Sequence, residues 1–69
     1  MISANDNKRI YRLTEDDAVQ VHLRYWQGEF QHSIAAAYGV NQGRISDVIN
    51  ERTHIGTKKS AEMLWRAGA

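Results

Sequence analysis

Near the middle of the chain, Gln42, Gly43, Arg44, Ser46, Asp47 and Asn50 bring together residue types that recognise by hydrogen bonding rather than make or break bonds. They interleave with Ile45, Val48 and Ile49. At helical spacing the aliphatic set falls on one side and the polar set on the other, with Arg44 and Glu51 on a flank and Gln42 at the open N-terminal end. Gln42 and Asn50 each hold a donor and an acceptor in one plane, and Arg44 presents a fork of donors, so the edge suits planar partners with a matching pattern. A catalytic role is not expected for Ser33, Ser46 and Asp47, because no histidine lies in evident reach of Ser46 and a small helical bundle leaves little room for a substrate pocket. Neither a metal nor another cofactor is expected either. His22, His32 and His54 fall on different predicted elements without cysteine or a paired helical spacing, and surface or capping roles are assigned to them.

The recognition edge needs elements to hold it. "LTEDDAVQVHLRYWQG" predicts a first helix over about residues 15–27, with Thr14 as N-cap, Asp17 completing a capping box, acidic residues in the first turn and Gly28 as the stop. Ala18, Val21 and Tyr25 form one apolar stripe; Val19, Leu23 and Trp26 form another, which either the last helix or a second subunit covers. "FQHSIAAAYG" predicts a second helix over 31–38, with Phe30, Ile34, Ala35 and Tyr38 on its apolar side and Gly39 at its end. Asn41 caps a third over 42–51, and Thr57 caps a fourth over 58–67 with Ala61, Leu64 and Trp65 inward. No segment sustains the alternation of a strand. The expected fold is therefore all-α, a small bundle of about four helices over 14–69, preceded by a flexible basic arm, 1–13.

Length and composition set the outer limits. A chain of 69 residues, 42% hydrophobic and without cysteine, has neither disulfides nor thiolate zinc to reinforce a modest core. No run approaches the ~20 apolar residues of a membrane span, and the first residues lack a secretory apolar segment, so a cytoplasmic location is expected. Net charge is only +1, but the charges are segregated: acid gathers at the start of the first helix, and base gathers at Lys8, Arg9 and Arg12 and around the third and fourth helices.

Two helices joined by three residues that include a glycine are expected to cross steeply. Ala35 would then sit at their closest approach, Gly39 would take positive φ, and Val40 would fill the space beneath the turn. In this respect the stretch from Gln31 to Asn50 resembles the helix-turn-helix DNA-binding domains of phage repressors, resolvases and invertases, and of modules attached to phage nucleases. The likeness is carried by Gln31, Ala35, Tyr38, Gly39, Val40, Ile45 and Val48, and it departs from the family pattern at Gly43 and Asp47.

The resemblance implies that the third helix enters the major groove of double-stranded DNA, with Gln42, Gly43, Arg44, Ser46, Asp47 and Asn50 toward the bases. Asp47 could accept from cytosine N4 or exclude wrong sequences, but the preferred expectation is that it orients Arg44 three residues away. Gln31, His32, Ser33, Asn41, Arg52, Thr53, His54, Lys58 and Lys59 are expected at phosphates, and Lys8, Arg9 and Arg12 form a possible minor-groove arm. One such helix reads few base pairs, so a homodimer or larger assembly is expected through Val19, Leu23, Trp26, Met63 and Trp65. The leading expectation is a bacterial or phage-like transcription regulator; a DNA-binding subunit of a packaging, recombination or nuclease complex and a protein-interaction adaptor are the alternatives.

Overall fold

A computed structural model describes residues 12–68, which form four α-helices and no strand. We number them α1 (Glu15–Trp26), α2 (Gln31–Tyr38), α3 (Gln42–Ile49) and α4 (Thr57–Arg66). Residues 1–11, including Lys8 and Arg9 of the basic arm, lie outside the described region, whereas Arg12 is exposed just ahead of α1. No helix among the described residues is long and apolar enough to cross a membrane.

Local chemistry sets most of the helix ends. The Thr14 hydroxyl accepts from the Asp17 N–H at 3.1 Å and the Asp17 carboxylate accepts from the Thr14 N–H at 3.0 Å, closing the capping box over the acidic first turn of α1. At the end of α2, Gly39 adopts φ 71°, its N–H donates to the Ala36 carbonyl, and the Val40 N–H reaches back to that of Ala35. This is a Schellman motif, in which Val40 is turned toward the core beside Ala35. The chain leaves α1 through the same pattern at Gly28 and Glu29, and α3 through Glu51 and Arg52.

Three boundaries differ from the sequence expectation. First, α3 ends at Ile49 rather than 51, because Glu51 takes φ 58° and reverses the chain without a glycine. The N-cap of α4 is Gly56 rather than Thr57; the Thr57 hydroxyl instead donates to the His54 carbonyl at 2.7 Å, and its side chain is buried. Finally, α1 stops at Trp26, with Gln27 as its C-cap.

The apolar centre gathers Leu13, Ala18, Val21, Ile34, Ala35, Ile45 and Val48, with Tyr38, Val40 and Ile49 packed around it. It joins α1, α2 and α3 and contains no residue of α4. That helix lies along α1, burying Thr57 and Ala61. Leu64 and Trp65, expected inward, are 44% and 42% exposed, because the inward line of α4 runs through the small residues Thr57 and Ala61. Trp65 still meets the Trp26 ring edge to face at 5.8 Å, so part of the second stripe of α1 is used within the chain.

His22 corrects another expectation. It is 1% exposed rather than a surface or capping residue, its ring lies 5.8 Å from that of Trp26, and its Nε2 has no hydrogen-bond partner. Burial lowers its pKa below the ordinary value of 6.5, the Glu51 carboxylate opposes this, and Lys58 reinforces it. As pH falls, the unfolded chain therefore takes up the proton first. Stability is full above about pH 6.5 and declines below it, until His22 protonates in the folded protein as well. Thermal melts should show a midpoint that drops between pH 7.5 and 5.5. His22→Leu, of similar volume and with no polar atom to leave unpaired, should flatten that dependence and raise stability by about 1 kcal/mol.

Candidate nucleic-acid interface

Ile45 and Val48 are fully buried, which fixes the rotation of α3 and turns its polar edge away from the core. Gln42, Gly43, Arg44 and Asn50 are exposed, and Ser46 and Asp47 are half-buried. The Asn41 side chain accepts from the Gly43 N–H at 2.9 Å and so caps α3. The cap uses the side-chain oxygen alone; the Nδ2–H groups, the part of Asn41 that can donate to a phosphate, take no part in it. A Cβ at position 43 would stand 3.1 Å from that oxygen, which gives Gly43 a local reason besides any close approach of a ligand.

Asp47 does not orient Arg44. Its carboxylate accepts from Nε of Arg52 at 3.0 Å, because the chain reversal at Glu51 carries Arg52 back over the last turn of α3, where its N–H also donates to the Asp47 carbonyl at 2.8 Å. Arg44 is left beside the turn formed by Gly39, Val40 and Asn41, with no ion pair to a described residue. Asn50 also folds inward on its own helix: its amide donates to the Ser46 carbonyl at 2.9 Å and approaches the Ser46 hydroxyl at 3.3 Å. Of the six residues assigned to the outer edge, Gln42 and Arg44 have large side chains with no hydrogen bond to another described side chain.

The residues assigned to phosphates divide into two groups. Gln31, His32 and Ser33 open α2, whose N-cap, Phe30, supplies no side-chain hydrogen bond; the Ser33 N–H, at the position where Asp17 donates to Thr14 in α1, donates instead to the Phe30 carbonyl at 3.0 Å, and the Gln31 and His32 N–H groups precede the first intrahelical bonds. These residues lie near the start of α3, since Gln31, His32 and Gln42 border one open cleft. The second group is less available. His54 Nε2 donates to the Leu13 carbonyl at 2.8 Å across 41 residues of sequence, tying the loop before α4 to the entry of α1, and Arg52 is held by Asp47. Thr53 is exposed and contacts Nδ1 of His54. Lys58 and Lys59 are exposed on the first turn of α4, with Lys58 in a cleft bordered by Trp26, Glu62, Trp65 and Arg66.

Phe30 was expected on the apolar side of the second helix; it is instead 69% exposed and stacks on His32, with ring centroids 5.6 Å apart. The cue available in the sequence was its place immediately before the first helical residue, where an N-cap points outward. Arg24, near the end of α1, grips the Glu29 carboxylate through Nε and Nη2 at 2.8–3.1 Å and lies over the Tyr38 ring at 5.6 Å. The hydrogen bond to Glu29 raises the Arg24 pKa above its already high ordinary value.

No known family model matches this chain, and no curated protein or solved structure matches it either.

At Gly43 two local effects oppose each other. Alanine gains about 1 kcal/mol in helix propensity, while its Cβ presses on the capping oxygen of Asn41. Gly43→Ala should therefore change stability in denaturant titration by less than about 1 kcal/mol, and any loss of ligand affinity that accompanies it would report on the outer face of α3 rather than on folding.

Proposed function

We propose that this chain is a sequence-specific double-stranded DNA-binding protein of the helix-turn-helix kind, a small bacterial or phage-like transcription regulator acting in the cytoplasm. In this reading α3 lies in the major groove. Gln42 bridges an adenine, and Arg44 forks onto a guanine. The N–H groups and polar side chains at the start of α2 approach phosphates, where the helix dipole favours an anion. Lys58, Lys59 and Arg12 add charge that sets affinity rather than sequence.

The observation that carries the reading is the pairing of Asp47 with Arg52 beside Arg44, which has no ion pair to a described residue. An acidic residue on α3 is the strongest objection to a polyanionic partner. With its charge offset by Arg52, the remaining ionic side chain on that helix is a cation. Replacing Arg44 by alanine should weaken binding to a duplex selected from a random pool by about 10- to 100-fold if it forks onto a base. It should then relax the preference at one position and leave the salt dependence unchanged. A phosphate contact would instead weaken all duplexes alike and reduce the salt slope by about one. For roughly three phosphates neutralised per subunit, by Arg12, Lys58 and Lys59, log K against log salt should fall with a slope of about −3. A gel shift across a salt series measures both quantities, and a flat response to salt would exclude this mode of binding.

A single recognition helix reads too little sequence for a regulator, so the reading includes self-association. Met63 and Leu64, 67% and 44% exposed, stand in the groove between α1 and α4 that Val19 borders, and Trp65, 42% exposed, borders a separate cleft with Trp26. Sedimentation at micromolar concentration should show a dimer, alone or on DNA. Met63→Lys should shift it toward monomer without changing helix content, because that side chain contributes little to the folded subunit.

A further inference from the structure

Phe30 is placed at odds with local folding rules. As the N-cap of α2 it has the extended backbone typical of that position, φ −76° and ψ 149°, but no side-chain oxygen to satisfy the first turn, as Ser, Thr, Asp or Asn would. Its ring is 69% exposed, so folding recovers little of its apolar surface. A residue that gives up a cap and exposes an aromatic ring without benefit to the core is of the kind found at functional sites.

Its surroundings indicate the ligand. The ring is held by stacking on His32, the two planes inclined by 14°, and shares one open cleft with Tyr25, Gln31 and Gln42. The carboxylate bordering that cleft, Glu29, is neutralised by Arg24, so a phosphodiester strand can approach. An aromatic edge beside a glutamine amide at the start of α3 matches the major-groove face of an A·T pair, where adenine offers N7 and N6 to the amide and thymine offers its methyl to the ring.

We propose that Phe30, braced by His32, contacts the 5-methyl group of a thymine at the edge of the sequence read by α3, which makes it a specificity-determining residue. This inference rests on the duplex-DNA reading above. The test replaces each thymine of the selected duplex in turn by deoxyuridine, which lacks only the methyl. The wild-type protein should lose about 3- to 10-fold in affinity at one or two positions, adjoining the base whose identity depends on Gln42. Phe30→Ser should abolish that sensitivity while raising the thermal midpoint, because serine caps α2. Phe30→Leu, which keeps apolar bulk, should retain part of it.

Equal sensitivity to uracil in the wild type and in Phe30→Ser would overturn the inference. So would weakening of all duplexes alike with no dependence on the methyl, or a change in sedimentation with DNA binding intact, which would assign the ring to a protein contact. Failure of the wild-type protein to bind any duplex would defeat the DNA reading itself. Sequence-specific binding that ignores the methyl would defeat only the role given to Phe30.

Discussion

The rotation of α3 about its own axis is the constraint on which the rest depends. Ile45 and Val48 are both fully buried, and each is one helical turn from its neighbour on the same line, so a change of even one residue in register would carry polar groups into a core that has no partners for them. Ala35 and Val40 complete the constraint. The Schellman turn at Gly39 directs Val40 inward beside Ala35, and the small side chain at 35 leaves room for α3 to seat against α2. The outward direction of Gln42 and Arg44 is thus a consequence of aliphatic packing on the opposite side, and no contact of their own is needed to hold it.

The electrostatics follow the same economy. Both ion pairs among the described residues join positions five apart, Arg24 with Glu29 and Asp47 with Arg52, and each spans a helix end closed by a left-handed residue, Gly28 or Glu51. The reversal returns the residue after it onto the last turn, where a charge of opposite sign is waiting. The exposed Asp47–Arg52 pair contributes at most about 1 kcal/mol. Its larger effect is on the field around α3. It removes an acid from the outer edge and leaves Arg44 to set the sign there. The Arg24–Glu29 pair acts likewise at the cleft that holds Phe30.

Features encoded within a single turn of chain were legible in the sequence. The capping box at Thr14 and Asp17, the positive φ of Gly39, the Asn41 cap and the burial of Ile45 and Val48 each depend on residues at most a few positions apart. Features that depend on a change of chain direction were not. Asp47 and Arg44 are close on a helical wheel, but Arg52 competes successfully because Glu51 adopts a conformation that favours glycine, and nothing in its side chain announces this. His54 reads as a surface residue available to a phosphate until the fold brings the Leu13 carbonyl to it from the far end of the domain. Phe30 shows the opposite failure: helical periodicity was extended one residue too far, onto an N-cap whose side chain leaves the helical line.

The seam between α1 and α4 differs in kind from the apolar centre. It buries a histidine with an unpartnered nitrogen, a threonine hydroxyl directed to a loop carbonyl, and one alanine. Burying an unsatisfied imidazole nitrogen costs free energy, which the contact of the His22 ring with Trp26 at 5.8 Å offsets in part. The cluster from Leu13 to Val48 already unites α1, α2 and α3 without α4. α4 adds nothing to that cluster; it holds to α1 through Thr57, Ala61 and the edge-to-face contact of Trp65 with Trp26, and it leaves Met63 and Leu64 toward solvent. Under the proposed self-association, a second copy against α4 would supply burial that the isolated fold withholds from Met63 and Leu64.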